Sequence, residues 1–117
     1  MGDDLDAARQ RMINAADGLP SIEHGTSYGS SSLKVRGKFL SRVKDADTLV
    51  VMCPLEEKEM LIAAAPNIYF ETDHYKGWPA ILVRLSAIDD TKLAHRLRHA
   101  FLMQAPKSLA KTLGTDT

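Results

Sequence analysis

The chain has 117 residues with 44% hydrophobic and 26% charged side chains, and its 15 lysines and arginines balance its 15 aspartates and glutamates. These proportions fit one folded domain and exclude intrinsic disorder, while the neutral balance lacks the pI above about 9 that marks strongly basic nucleic-acid-binding domains. No apolar run reaches the roughly 20 residues that cross a bilayer, and the acidic opening MGDDLDAARQ is not a basic secretory leader, so the expected setting is cytoplasmic without membrane contact.

Leu5, Ala8, Met12, Ala15, Ala16 and Leu19 recur at spacings close to three and four, with Asp3 and Asp4 available as caps, which predicts an amphipathic first helix. Gly18 and Pro20 end it. Gly2 follows the initiator, but Asp6 stands where an N-myristoylation signal requires Ser or Thr. HGTSYGSSS, His24 to Ser32, reads as a polar loop or edge. In it Gly25 and Gly29 flank Thr26, Ser27 and Tyr28, so amides and hydroxyls could meet a phosphate. Nothing there matches a P-loop or GxGxxG, and a turn with glycine-dependent backbone angles is the preferred reading.

From Leu33 the pattern alternates through LKVRGKFLSRVK, turns at DAD and continues into the β-branched TLVVMC, predicting three antiparallel strands. The first hairpin has two registers. A two-residue Arg36–Gly37 turn pairs Val35 with Lys38; a three-residue loop from Arg36 to Lys38 pairs Val35 with Phe39 and turns both inward. The second is preferred, and it places Lys34, Arg42 and Lys44 on the outer face with Leu40 among them and Arg36 and Lys38 at the tip.

PLEEKEMLIAAAP predicts a second helix that opens at Pro54, carries Glu56 and Glu57 against its positive end and closes at Pro66. NIYFE and PAILVRL read as two further strands, joined by Thr72 to Pro79, which holds the only tryptophan in HYKGWP. A tryptophan beside a turn usually closes the rim of a small core, so Trp78 is expected to be half-buried with an edge showing. Asp89 and Asp90 begin a helix with Leu93, Leu97 and Phe101 at every fourth position, ending before Pro106. A last short helix, Lys107 to Leu113, stops at Gly114 and leaves a polar tail. The organisation is one domain over residues 1–117, of α/β class and α+β type, with an antiparallel sheet of about five strands packed against helices.

Catalytic signatures are weak. Cys53, the single cysteine, excludes an internal disulfide and ends an apolar strand where thiols pack as small hydrophobes. His95 and His99 stand four apart, but HRLRH lacks the glutamate of HExxH and its two arginines repel a cation. Glu56 and Glu59 suit a solvated face better than an acid–base pair. No catalytic residue, metal or cofactor is therefore expected.

Charge is segregated along the chain. Residues 1–33 carry two basic and five acidic groups, 34–44 five and none, 45–75 one and seven, and 76–117 seven and three. The sums −3, +5, −6 and +4 cancel. A local basic block can meet phosphates, and five such contacts with duplex DNA predict a log–log salt slope of about −4.5. An exposed Trp78 would add stacking on an unpaired base.

The segments LPSIEHGTSYGSSSLKVRGKFL, LVVMCPLEEKEMLIAAAP, YFETDHYKGWPAILVRL and AFLMQAPKSLAKTL together resemble the MmcQ/YjbR family of small bacterial proteins, from Ala7 to Leu113. The glycine-and-aromatic loop before LKVRGKF and the KGW turn are the most specific pieces. The resemblance implies a frataxin-like (CyaY-like) architecture and a DNA-binding label that rests on structural analogy. Positions matching recurring motifs are Gly25, Tyr28, Gly29, Lys34, Lys38, Phe39, Lys76, Gly77, Trp78 and Lys107. The chain departs from the usual two-lysine turn by its single Lys76 after Tyr75, and by Pro79 in place of a β-branched residue.

The leading expectation is a non-enzymatic monomer that binds DNA without sequence specificity, through the hairpin residues Lys34, Arg36, Lys38 and Arg42, the turn residues Lys76 and Trp78, and Lys107. The alternative is a small anionic ligand held between Trp78 and the loop carrying Gly25, Thr26, Tyr28 and Gly29. A minor third reading, suggested only by the frataxin-like shape, is metal or protein docking through Asp3, Asp4 and Asp6.

Overall fold

The computed structural model describes residues 2–27 and 30–111. Its elements are α1 (Gly2–Ala15), β1 (Ile22–Ser27), β2 (Ser30–Val35), β3 (Lys38–Asp45), β4 (Thr48–Met52), α2 (Leu55–Ala64), β5 (Tyr69–Phe70), β6 (Ala80–Arg84), α3 (Asp90–Gln104) and α4 (Lys107–Ala110). A 3-10 turn, Asp73–Tyr75, lies between β5 and β6. The strands form one open sheet in the order β1-β2-β3-β4-β6-β5, with every pairing antiparallel. Among the described residues no helix is long and apolar enough to cross a membrane.

The near-continuous apolar runs of β4 and β6 have a structural cause: both faces of the sheet's middle are covered. Leu49 and Val51 of β4, with Ile81 and Val83 of β6, pack against α1 and α3 in the principal core. Alternate residues Val50, Ala80 and Leu82 form a second cluster with Phe39, Met52, Phe70 and Tyr75. Met12, Leu97 and Phe101 show no exposed surface and join α1 and α3 to the sheet, each contributing about 1.5–3 kcal/mol relative to exposure. The stripe expected on α1 holds at Ala8, Met12 and Ala16 but not at Leu5, which is largely exposed at the outer end of the helix.

Polar contacts fix how the helices meet the sheet. Arg11 on α1 donates to the carbonyls of Leu85 at 2.6 Å and Ile88 at 2.9 Å and pairs with Asp90 at 3.0 Å, which docks α1 on the β6–α3 connection. Asp89 caps α3 by accepting from the Lys92 amide at 2.7 Å. In the DAD turn, the Asp47 carboxylate accepts from the Ser86 amide at 2.7 Å and hydroxyl at 2.9 Å, fastening the β3–β4 turn to the end of β6.

Two expectations are corrected. The sheet has six strands rather than about five: the stretch His24 to Ser32 supplies the end of β1, which is an edge as one of its two readings had it, and the start of β2, and Gly25 sits in β1 opposite Ser32 without a positive φ. Gly25 itself therefore supplies no glycine-dependent turn angle. Tyr28, Gly29 and the end of the last predicted helix lie outside the described residues.

The second correction concerns the β2–β3 hairpin, which uses the two-residue turn: Val35 pairs with Lys38 and Lys34 with Phe39. Arg36 at φ 50° and Gly37 at φ 81° supply the positive angles whose twist matches the flanking strands. A bulge between Leu33 and Lys34 then brings Leu33 opposite Ser41, so β3 carries one extra residue. That residue absorbs the slip. Leu40 enters the principal core and Phe39 faces the other side, the reverse of the three-residue expectation.

Arg36 holds a positive φ that costs a non-glycine residue about 1 kcal/mol and that asparagine tolerates better. Arg36→Asn is expected to raise the urea midpoint, by about 0.5–1 kcal/mol of stability with an unchanged slope. A lowered midpoint would contradict the turn assignment.

Candidate functional site

On the sheet face turned away from α1 and α3, the second apolar cluster forms the floor of a cavity of about 530 Å³. Val50, Met52 and Ala80 supply the floor, Phe39, Tyr75, His74, Trp78 and Pro79 the walls, and Lys34, Gly37 and Arg42 the side toward the hairpin. The two-residue turn sets Phe39 on this face, and the bulge in β3 brings Arg42 to the same face. Arg42 donates to the Tyr75 hydroxyl at 2.6 Å and to the Ser30 hydroxyl at 3.5 Å, so its guanidinium is positioned. Lys34 lies between Glu23 on β1 and Phe39 on β3 in the cross-strand register. The Glu23 carboxylate accepts from the Gly37 amide at 3.2 Å, placing one acidic group beside the hairpin tip.

Trp78 is 63% exposed rather than half-buried. Its connection folds through the Asp73–Tyr75 turn and reverses at Gly77, whose φ of 79° is one that L side chains rarely adopt. The Trp78 amide donates to the Tyr75 carbonyl at 3.0 Å, and its carbonyl accepts from the Ala80 amide at 2.8 Å. The backbone is thus held while the indole stays outside.

The holding group is Lys58, only 2% exposed on α2. Its ammonium donates to the carbonyls of Tyr75 at 2.8 Å and Trp78 at 3.0 Å and pairs with Glu71 at 2.6 Å. Three donors meet three acceptors. Sequence reasoning counted this lysine only as the single positive charge of an acidic segment. The available signal was its place in the series Pro54, Lys58, Leu61, Ile62, Ala65, an apolar helical face interrupted by one charge.

Of the residues expected to bind, Lys34, Arg42 and Trp78 line the cavity together. Arg36 and Lys38 are exposed on either side of Gly37, and Lys76 is exposed beside Gly77, all next to cavity-lining residues. Lys107 is not among the lining residues: it opens α4, whose Leu109 packs into the principal core. Gly25 and Thr26 are exposed on the edge strand and do not line the cavity either, which removes them from the expected ligand pocket.

A second polar cluster lies where α2 meets α3. Glu57 accepts from Arg96 and from His99 Nδ1, the latter at 3.0 Å. Burial pushes the Glu57 carboxyl up, but the bonds from Arg96 and His99 outweigh it and hold the group below its ordinary 4.5. Nearby Cys53 is buried, and burial reinforced by the Glu57 charge raises its thiol to about 11, so the thiolate needed for nucleophilic chemistry is scarce at neutral pH. Among the described residues no group of three or more His, Cys, Asp or Glu side chains is arranged to hold a metal.

The model of the YjbR family matches residues 17–103. The chain belongs to the YjbR family. The matched span runs from the end of α1 to the last turn of α3, and so contains the hairpin, Lys58 and the Trp78 turn. Uncharacterized protein Rv2570 of Mycobacterium tuberculosis and uncharacterized protein Mb2600 of Mycobacterium bovis are each 48% identical over 54 residues, 46% of this chain. The match spans 42% of each relative's own length. The crystal structure of Deinococcus radiodurans protein DR2400, with domain DUF419, superimposes with a TM-score of 0.69 at 19% identity, covering 88% of this chain and 85% of that one. That likeness is one of fold.

Two outcomes follow for this YjbR-family domain. Lys58→Met leaves two carbonyls and Glu71 without their donor and is expected to lower stability by about 3 kcal/mol, read from urea unfolding followed by Trp78 emission; a loss within 0.5 kcal/mol of zero would show the ammonium dispensable. Because the folded Glu57 carboxyl titrates below its ordinary 4.5, its contribution is complete above that pH and is lost as pH falls through the folded value. Glu57→Gln should therefore weaken the domain at neutral pH and flatten the decline below pH 4.5, a difference that urea midpoints at several pH values would expose.

Proposed function

We propose that this YjbR-family protein is a non-enzymatic nucleic-acid-binding protein that holds the phosphate backbone without reading sequence. The observation that carries the reading is the exposed indole of Trp78 on the same cavity as Lys34 and Arg42. Exposed Arg36, Lys38 and Lys76 extend the positive surface beyond it, whereas Lys107 is left out. Cations next to an exposed ring suit a nucleic-acid strand because phosphates and base faces alternate along it. The same reading takes the architecture as frataxin-like, supported by an antiparallel sheet with α1 and α3 on one face, and the protein as cytoplasmic, supported by its free buried cysteine.

Fluorescence anisotropy of labelled DNA over a range of salt concentrations tests the reading. Five phosphate contacts predict a log–log slope of about −4.5 on duplex and about −3.5 on single strands. Replacing Lys34 and Arg42 by alanine should reduce the slope by about two contacts, and Glu23→Gln, which removes the carboxylate beside the hairpin tip, should tighten binding. No binding at low salt, or an affinity indifferent to these substitutions, would reject the proposal.

The cavity's volume, within the range of small-molecule sites, favours a second reading: a small anionic ligand seated against Trp78. Saturable quenching of Trp78 by an acidic metabolite that is unaffected by Arg36→Ala and Lys38→Ala, with no affinity for DNA, would select it.

A further inference from the structure

We infer that the cavity on the open sheet face captures one unpaired nucleobase, making the protein selective for single strands. The inference rests on the nucleic-acid reading above and specifies which part of the polymer enters. The floor made by Val50, Met52 and Ala80 is apolar and suits the face of a ring. Phe39, Tyr75 and Trp78 bring three aromatic rings to the walls, and stacking on such rings favours an unpaired base of any identity. Lys34 and Arg42 line the same space, so a base on the floor has cations within the site for its phosphate. Arg42 is positioned by the Tyr75 hydroxyl at 2.6 Å, and Tyr75 is positioned in turn through its carbonyl by Lys58 at 2.8 Å. The site is therefore built by side chains that constrain one another.

The same geometry selects against a duplex. Paired bases are stacked inside the helix, and bringing one to a cavity floor requires extrusion at a cost of a few kcal/mol. A single strand avoids that cost. An apolar floor offers no bidentate partner for a base edge, so capture is tolerant of sequence, consistent with recognition by stacking.

The experiment compares a labelled single-stranded oligothymidylate, a duplex of equal length and an abasic oligonucleotide of equal length, by anisotropy at one low salt concentration. The single strand is expected to bind about 10-fold tighter than either of the others, the fold-change that corresponds to one stacked base. Thymidine 5′-monophosphate should compete and should quench Trp78 saturably. Trp78→Ala, at an exposed position that leaves the core intact, should remove most of the single-strand advantage, whereas Arg36→Ala should weaken all three polymers alike. Equal binding of the three polymers would overturn base capture while leaving backbone binding standing. Absence of binding by every polymer would overturn both, and quenching by the mononucleotide alone would then assign the cavity to the small-ligand reading.

Discussion

One buried ammonium organises the face that carries Trp78. Lys58 lies inside the domain with each of its three donors engaged, two on backbone carbonyls that flank the turn and one on Glu71. An uncompensated charge at that depth would be strongly destabilising, so the carbonyls of Tyr75 and Trp78 are drawn to it and the chain between them has little freedom. With the reversal at Gly77, this fixes where the indole emerges. Trp78 is consequently exposed by a well-determined backbone and not by fraying, which is the condition for an exposed aromatic to act as a contact surface.

The second constraint is the bulge in β3. A two-residue turn alone would pair Leu33 with Leu40, which turns Leu40 inward and Phe39 outward, but carried along the hairpin it would send Arg42 inward and Val43 outward. The extra residue between the pairs Lys34–Phe39 and Leu33–Ser41 reverses the facing beyond Leu40, so that Val43 reaches the principal core and Arg42 lines the cavity on the same side as Phe39. Hairpin and turn thus meet from opposite sides of one cavity, with Arg42 and Tyr75 bonded across it.

Much of the architecture was legible because its signals are local. Period-four leucines, the prolines at 54, 66 and 106 and the Asp89 cap mark helices through the hydrogen bonds each residue permits or denies, and β4 and β6 announce themselves by unbroken β-branched and aliphatic runs. What escaped was non-local. The edge strand β1 was legible only as one of two readings of a polar stretch, since IEHGTS carries little hydrophobic signal. The hairpin register depended on the length of the turn, which alternation cannot reveal when Phe39 and Leu40 are both apolar, and the bulge beyond it left no local signal. Lys58 was missed because the groups that satisfy it lie 13 to 20 positions further along the chain, at Glu71, Tyr75 and Trp78. The site was correspondingly half legible: Lys34, Arg42 and Trp78 converge as expected, whereas Lys107 is exposed at the start of α4 outside the cavity lining and Gly25 and Thr26 lie on the edge strand.

The neutral composition, which argued against a polyanion partner when only the sequence was considered, weakens as an objection once the carboxylates are located. Asp47 is bonded to Ser86, Asp89 to the amino end of α3, Asp90 to Arg11, Glu57 to Arg96 and His99, and Glu71 to Lys58. These acids serve the architecture, and their positive partners are mostly internal cations that contribute nothing to the open sheet face. Around the cavity, Glu23 beside the hairpin tip and exposed Asp73 beside His74 are set against Lys34, Arg36, Lys38, Arg42 and Lys76. A field that a strand would sense depends on that local imbalance within a Debye length of about 10 Å, and hardly on charges across the sheet among the helices. Zero net charge is therefore compatible with a local excess of basic groups around the cavity, because five carboxylates are bonded elsewhere in the fold while Arg36, Lys38 and Lys76 stay exposed beside it.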